Sequence, residues 1–288
     1  MPDAKAKLTS VLKLLDDESA EIQRILQNQL RENALEILIN KNSYRTGLEK
    51  VNQTQFDILL GGLHVEITTQ AFKNLFCNAL EDVDLESAIL IISYWNDPTV
   101  NCAELRQELD RMSKSISTNL PKTGHPLAFI DHISHYLFRE FSISGNTEDY
   151  YNPDNSFLDK LLETKKGIPI TIGILYMLIS TRLGLPVYGV PLPGHFILKF
   201  HNDEDEIFFD PFYEGKVYSR QMCYRYLLDV NAENREQILN GCLNFDIVTR
   251  VLKNLHLVYS SYQYDSEKIK QIESFLELLE SHYGTQYD

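Results

Sequence analysis

The sequence predicts an α+β protein in which helices frame one small antiparallel sheet. Apolar residues recur three and four apart over most of the first ~140 residues, which is the spacing of amphipathic helices. A segment rich in Gly, Asn, Asp and Pro, residues 141–157, then reads as a loop. An apolar helix and short β-type runs follow, before helical spacing returns. We therefore expect three regions: a helical one (1–120), a mixed core (121–220) and a helical tail (221–288).

The N-terminal region begins with a predicted helical hairpin. Apolar residues between Leu8 and Leu15, and between Ile22 and Leu30, fit two helices, and the intervening Asp-Asp-Glu-Ser can cap the second. The hairpin looks like a HEAT repeat, although no clear period continues beyond it. Further helical patterns fall at about 53–61, 68–80, 83–95, 102–117 and 126–140.

The mixed core is predicted to contain a helix at 169–183 that is buried on most sides. Pro169 suits its first turn, where a missing N–H costs no hydrogen bond, and Gly184 ends it. The positions between them are apolar nearly all round. Short runs at 187–191, 195–200 and 206–210 predict antiparallel strands. In the tail, 247–262 and 267–282 predict a hairpin similar to a degenerate tetratricopeptide unit.

A histidine, His195, opens the second β-type run directly after a Pro-Gly turn. If residues 201–204 form the hairpin loop, His195 lies opposite Asp210 at ~4.5–5.5 Å. A carboxylate on one imidazole nitrogen fixes the tautomer and raises the pKa of the other nitrogen, which orients a general base. A register shift of two residues would separate the pair. A structural histidine and a turn-forming aspartate are the alternative interpretation.

A nucleophile for such a pair would be a cysteine at a helix N-terminus, whose positive potential favours the thiolate. The helix that begins "GIPITIG" has no cysteine there; Pro169 stands in its place and Thr171 is the nearest hydroxyl. Cys223 could fold back as a substitute, and Ser156 is a further hydroxyl. A buried thiol and a helix cap are the alternative interpretations of these two residues. Asn155 could hydrogen-bond across a cleft or simply form a turn.

Much of the core reads "YYNPDNSFLDKLLETKKGIPITIGILYMLISTRLGLPVYGVPLPGHFILKF", followed by "FFDPFYEG". These segments resemble the Sir-B-one family, a branch of the transglutaminase-like superfamily with a papain-like core. The matching motifs are Asn155-Ser156-Phe157, Gly167-Ile168-Pro169, Gly184-Leu185-Pro186, Pro193-Gly194-His195-Phe196 and Asp210-Pro211-Phe212. The resemblance implies a Cys–His–Asp triad in catalytic members. His195 and Asp210 match its second and third residues, whereas Pro169 or a neighbouring residue stands at the cysteine position, as the branch is expected to show.

Composition narrows the classes of partner. The chain has 27 Lys and Arg against 41 Asp and Glu, a formal net charge of −14, which argues against nucleic acid and anionic membranes. The N-terminus lacks a signal-peptide apolar core, and the longest uncharged run is shorter than the ~20 residues of a membrane span. Four scattered cysteines lack metal or disulfide spacing, so we expect reduced thiols in a cytoplasmic protein.

One histidine cluster raises the question of a metal. His132 and His135 lie three apart with Asp131 adjacent and His125 upstream, but a closed site needs three or four ligands and the sequence offers no further partner. The acidic "HNDEDE" loop lacks the spacing of a calcium loop. We therefore expect surface histidines, no metal and no cofactor.

Two functions remain open. The first is a non-catalytic transglutaminase-like protein that has lost its cysteine position and serves as an interaction or regulatory module for a protein partner of unknown identity. The second is a residual hydrolase or acyl-transferase. It would use His195 and Asp210 with a non-standard nucleophile such as Thr171, Cys223 or an activated water. The missing cysteine favours the first function.

Overall fold

The computed structural model describes residues 8–77, 79, 81–120 and 124–283. Helices make up most of the described chain and two small sheets complete it, which confirms the α+β class. The chain divides into two compact units. One contains the described residues up to Arg106 and those from Glu280, and the other is Gln107–Leu279. The boundaries at 120 and 220 stay a prediction.

The first unit is built from helices. Residues 8–12 are helical and residues 13–16 form a turn, so the first helical segment ends before the predicted Leu15. Both segments of the predicted hairpin are present, while its likeness to a HEAT repeat stays a prediction. The helices that follow are α1 (Ala20–Glu32), α2 (Ala34–Thr46), α3 (Lys50–Gly62), α4 (His64–Cys77) and α5 (Leu85–Asn96). The sequence pattern does not predict α2, because the polar residues 40–43 interrupt its apolar spacing. The backbone also leaves helical geometry there, at Asn40.

Helices also frame the second unit. They are α6 (Cys102–Asn119), α7 (Pro126–Ser134), α8 (Leu158–Thr164), α9 (Pro169–Arg182), α10 (Arg220–Asp229), α11 (Arg235–Leu239), α12 (Asn244–Val258) and α13 (Ser266–Tyr283), of which the start of α6 up to Arg106 and the end of α13 from Glu280 belong to the first unit. Two π-helical segments, His135–Glu140 and Tyr259–Gln263, continue α7 and α12. Of the described helices, none is long and apolar enough to cross a membrane.

Two sheets lie in the second unit. Strand β1 (Ser144–Gly145) pairs in parallel with β2 (Lys166–Gly167). The larger sheet is an antiparallel meander of β3 (Val187–Val190), β4 (Ile197–His201), β5 (Glu206–Asp210) and β6 (Lys216–Tyr218). The sequence pattern does not predict β6, because three residues are too few to show an alternation.

Aromatic residues pack helix α9 against this sheet: Tyr176 of α9 lies with its ring centroid 5.0 Å from that of Phe209 in β5, and Phe196 contacts α9 next to the sheet. All residues of α9 from Pro169 to Ser180 are buried, as the sequence predicts. The ring of Phe196 fills the space beside Gly173 of α9 and Gly189 of β3. A Cβ atom at either glycine would lie 2.8 Å or 2.6 Å from that ring, so both positions favour glycine. Phe196 therefore anchors the segment that follows His195 in the core.

The predicted register of the β4–β5 hairpin is wrong by two residues. Phe200 pairs with Ile207 and His201 with Glu206, so the loop is 202–205 and His195 lies before β4 instead of at its first position. Asn202 sets the turn. Its side-chain oxygen accepts the N–H groups of Glu204 and Asp205 at 3.0 and 2.7 Å, which closes the hairpin one residue later than predicted.

Candidate functional site

His195 and Asp210 are in contact despite the shifted register. Nε2 of His195 lies 2.6 Å from Oδ2 of Asp210, and Oδ1 of Asp210 accepts the N–H of Phe212 at 3.0 Å. The aspartate is 1% exposed and the histidine side chain 22%. Both carboxylate oxygens are thus engaged. Because Asp210 occupies Nε2, Nδ1 is the imidazole nitrogen left for a proton or a ligand.

A tight turn, not a cross-strand pairing, brings the two side chains together. Gly194 adopts a φ of 72°, a conformation that favours glycine, and the N–H of His195 donates to the carbonyl of Leu192 at 3.0 Å. The turn carries the imidazole over the residues that follow β5. Its ring centroid lies 6.1 Å from that of Phe212 and 6.0 Å from that of Tyr213.

Two side chains from distant helices hold this turn by its carbonyl groups. Arg250 of α12 donates to the carbonyls of Leu192 and His195 at 3.1 and 2.8 Å. Tyr226 of α10 donates its hydroxyl to the carbonyl of Pro193 at 2.6 Å. The sequence analysis missed Arg250 and Tyr226, because nothing in the local pattern connects them to the Pro-Gly turn. They fix the backbone on which His195 stands.

A cavity of about 350 Å³ opens beside the His195–Asp210 pair. The turn, the strand ends and α10 form its walls, which are mostly apolar or aromatic. Besides the pair itself, the main lining side chains are Tyr213, Tyr218, Met222, Cys223 and Tyr226. Such a concave site with few polar groups is typical of ligand binding.

Cys223 lines this cavity, which is the position that a substitute nucleophile for the missing cysteine would need. The residue is buried, and burial raises the pKa of its thiol to about 11. At pH 7 such a thiol is almost entirely protonated. A nucleophilic cysteine needs the opposite shift, because the thiolate is the reactive form. The environment of Cys223 therefore favours the interpretation of a structural thiol.

Pro169 and Thr171 lie in the first turn of α9 and are both buried. Neither lines the cavity beside His195. The hydroxyl of Thr171 is buried without a hydrogen-bond partner among the described residues, so nothing there activates it. The structure thus brings His195 and Asp210 together with Cys223 at one cavity, whereas Pro169 and Thr171 lie outside it.

Asn155 and Ser156 belong to a loop that precedes α8. The Asn155 amide donates to the carbonyls of Asp149 and Tyr150 at 2.7 and 3.1 Å, and its oxygen accepts from Asn146 at 2.9 Å. These bonds are those of a turn-forming asparagine. Ser156 does not cap α8, which begins after Phe157 without a side-chain cap. Neither residue lines the cavity, and a binding role for them stays a prediction.

The histidines of the "DHISHYLF" segment have separate surroundings. His132 hydrogen-bonds to the carbonyl of Ile116 at 3.0 Å, whereas His135 is exposed and lies 3.7 Å from Glu140. His125 caps α7 by accepting the N–H of Leu127. Over the part of the chain that the structure describes, no cluster of three or more His, Cys, Asp or Glu side chains has the arrangement of a metal site.

The residues of this site lie in a part of the chain that matches a known protein family. A family model described as the transglutaminase-like superfamily matches residues 103–253, slightly more than half of the 288 residues. This match includes His195, Asp210, the cavity and Arg250. No solved structure matches the chain at a significant level.

Several curated proteins are similar to this chain. A UPF0162 protein of Xylella fastidiosa strain Temecula1 is 34% identical over 135 residues, 45% of this chain and 48% of the relative. A UPF0162 protein of Vibrio cholerae is 26% identical, covering 54% of this chain and 57% of the relative. F-box only protein 21 of Mus musculus is 26% identical, and the match covers 62% of this chain and 30% of that relative. The chain thus spans about half the length of the first UPF0162 relatives.

Proposed function

The chain belongs to the transglutaminase-like superfamily, and on that premise we propose that it is a non-catalytic member that binds a protein partner through the cavity beside His195. Within the superfamily, the motifs quoted above favour the Sir-B-one branch. The cavity is the recognition site in this proposal, and the helical regions before and after the core provide further contact surface.

The burial of Cys223 in the cavity wall is the observation that carries the proposal. An acyl-transfer cleft needs an ionised or base-activated nucleophile beside its histidine. The thiol in the cavity wall has a pKa raised by burial to about 11, and Pro169 occupies the expected nucleophile position. A partially exposed imidazole, a buried carboxylate and aromatic walls remain, and these groups suit recognition.

The rigidity of the site supports binding as well. Three carbonyls of the 192–195 turn accept hydrogen bonds from Arg250 and Tyr226, and Asp210 uses both of its oxygens. A binding site whose groups are already held in place loses little conformational entropy when a ligand arrives. The turn is therefore preorganised for recognition.

Covalent labelling tests the proposal. The full chain is treated at neutral pH with a peptide vinyl sulfone, and each modified residue is located by peptide mass spectrometry. We expect labelling of Cys77, which is exposed and serves as the internal control, and none at Cys223 or at a hydroxyl near His195. Labelling of a single cavity residue that disappears in His195→Ala would overturn the non-catalytic function.

A residual hydrolase or acyl-transferase is the second candidate. The hydrogen bond of 2.6 Å between His195 and Asp210 favours it, because that arrangement orients a general base able to activate water. Its test is turnover of peptide amide and isopeptide substrates by the wild type, His195→Ala and the control His201→Ala, whose histidine is exposed at the end of β4. Turnover lost in His195→Ala alone would establish this candidate. Equal rates in all three proteins would reject it.

A further inference from the structure

We infer that the cavity beside His195 receives the guanidinium group of an arginine side chain presented by the protein partner. This inference rests on the proposed binding function and names its ligand. It depends on the charge, the aromatic walls and the size of the cavity.

The charge of the cavity favours a cation. The carboxylate of Asp210 lines it beside His195, and no lysine or arginine lines it among the residues that the structure describes. Both oxygens of Asp210 already accept hydrogen bonds, so the carboxylate attracts a cation through its charge and not by a direct bond. Asp210 is almost fully buried, so water screens its charge weakly. The chain as a whole carries a formal net charge of −14, which raises the local concentration of cationic partners and speeds their approach.

Three tyrosines line the cavity that would receive this cation. Tyr213 follows β5, Tyr218 ends β6 and Tyr226 lies on α10, so the rings come from three different elements. The hydroxyl of Tyr226 is held by the carbonyl of Pro193, and the ring of Tyr213 lies 6.0 Å from that of His195. A cation near tyrosine rings is attracted by their π electrons, and the attraction grows when water is excluded.

The size and polarity of the cavity favour arginine over lysine. A volume of about 350 Å³ is near the lower end of ligand sites, so it suits one side chain rather than a folded segment. The guanidinium group is planar, stacks on aromatic rings and is less strongly hydrated than an ammonium group. The walls include the apolar residues Leu192, Ile197 and Met222. Loss of hydration on entry therefore costs less free energy for arginine than for lysine.

The rim indicates that the arginine belongs to a longer chain. Tyr213 and Met222 line the cavity and are 58% and 55% exposed. Large exposed apolar side chains beside a pocket are typical of protein contact sites, where they surround a buried anchor and exclude water from it. In this arrangement the arginine is the anchor and the flanking residues of the partner cover the rim.

Three capped peptides with the full chain test the inference: Ac-Ala-Arg-Ala-NH2 and its lysine and leucine analogues. Calorimetric or NMR titration gives each dissociation constant. We expect the arginine peptide to bind about 10- to 30-fold more tightly than the leucine peptide, the factor that a desolvated cation–π contact provides, with lysine between them. Tyr213→Ala should lose most of this preference and Tyr213→Phe should keep it. Tyr188→Ala, an exposed tyrosine of β3 outside the cavity, is the matched control.

Equal affinity for the arginine and leucine peptides, or no saturable binding of the arginine peptide, would overturn the inference. So would a preference that survives Tyr213→Ala. Mass spectrometry of the same mixtures separates this inference from the proposed function. A peptide that emerges cleaved, or attached to the chain, would overturn the non-catalytic function even if arginine is preferred. If the leucine peptide stays intact and binds as tightly as the arginine peptide, the arginine inference is overturned and the proposed binding function is not.

Discussion

The His195 turn and the first turn of α9 differ in how their polar groups are satisfied. At the His195 turn, Arg250 and Tyr226 donate hydrogen bonds to the backbone carbonyls, and Asp210 accepts two hydrogen bonds. At the start of α9, Pro169 and its neighbours are buried, and the hydroxyl of Thr171 has no partner among the described residues. The His195–Asp210 pair thus keeps a defined hydrogen-bonding geometry, whereas Pro169, at the expected nucleophile position, is part of the apolar core.

Removal of Asp210 should produce the largest effect. Asp210→Ala removes a buried acceptor and leaves the partly exposed Nε2 of His195 and the N–H of Phe212 without it, so we expect the free energy of unfolding to fall by about 3 kcal/mol. Urea denaturation measures the change. Asp203→Ala, which removes an exposed carboxylate from the hairpin loop, should change it by no more than ~0.5 kcal/mol. Equal effects of the two substitutions would show that the His195 region is not held by this pair.

Arg250→Ala should have the next largest effect. The substitution removes two hydrogen bonds to the 192–195 turn, and we expect a loss of about 2 kcal/mol in the free energy of unfolding. The imidazole of His195 should also become more mobile, which NMR relaxation of the histidine ring measures. Arg225→Ala, at an exposed arginine of α10, is the control. Unchanged ring motion in Arg250→Ala would contradict the role of Arg250 in positioning His195.

Thr171→Val should produce a smaller effect of opposite sign. Valine has nearly the shape of threonine and removes a buried hydroxyl that has no hydrogen-bond partner among the described residues, so the free energy of unfolding should rise by about 1 kcal/mol. Thermal and urea unfolding both measure it. A loss of stability would indicate that the hydroxyl has a role that the structure does not show. A loss of amide turnover would identify Thr171 as a nucleophile.

The same two regions show which features of the structure could be predicted from the sequence. The bounds of α9 follow from Pro169, Gly184 and the apolar residues between them, because capping and burial are local properties. The contact of His195 with Asp210 was predicted through a wrong register. The hairpin loop is set by the side chain of Asn202, whereas the contact itself depends on the turn at Gly194.

The rest of the site depends on distant parts of the chain. Arg250 and Tyr226 reach the 192–195 turn from helices that follow the sheet, and their sequence positions carry no signal of that contact. Cys223 enters the cavity wall only because α10 packs beside the turn. Its raised pKa results from burial, which a single sequence does not reveal. Most helices and strands, though not α2 or β6, could therefore be predicted from local patterns. The hydrogen bonds of Arg250 and Tyr226 to the turn and the burial of the Cys223 thiol could not.

The absence of an activated nucleophile beside His195 is the central claim, and the pH dependence of Cys223 alkylation tests it most directly. Iodoacetamide is added to the full chain at pH values from neutral upward, and peptide mass spectrometry gives the rate at Cys223, with the urea-unfolded chain as reference. Because burial raises the thiol pKa to about 11, only about one thiol in ten thousand is ionised at pH 7. We predict slow alkylation that increases up to about pH 11 and is unchanged in His195→Ala. Rapid alkylation at neutral pH that falls in His195→Ala would contradict the claim and establish a working thiol–imidazole pair.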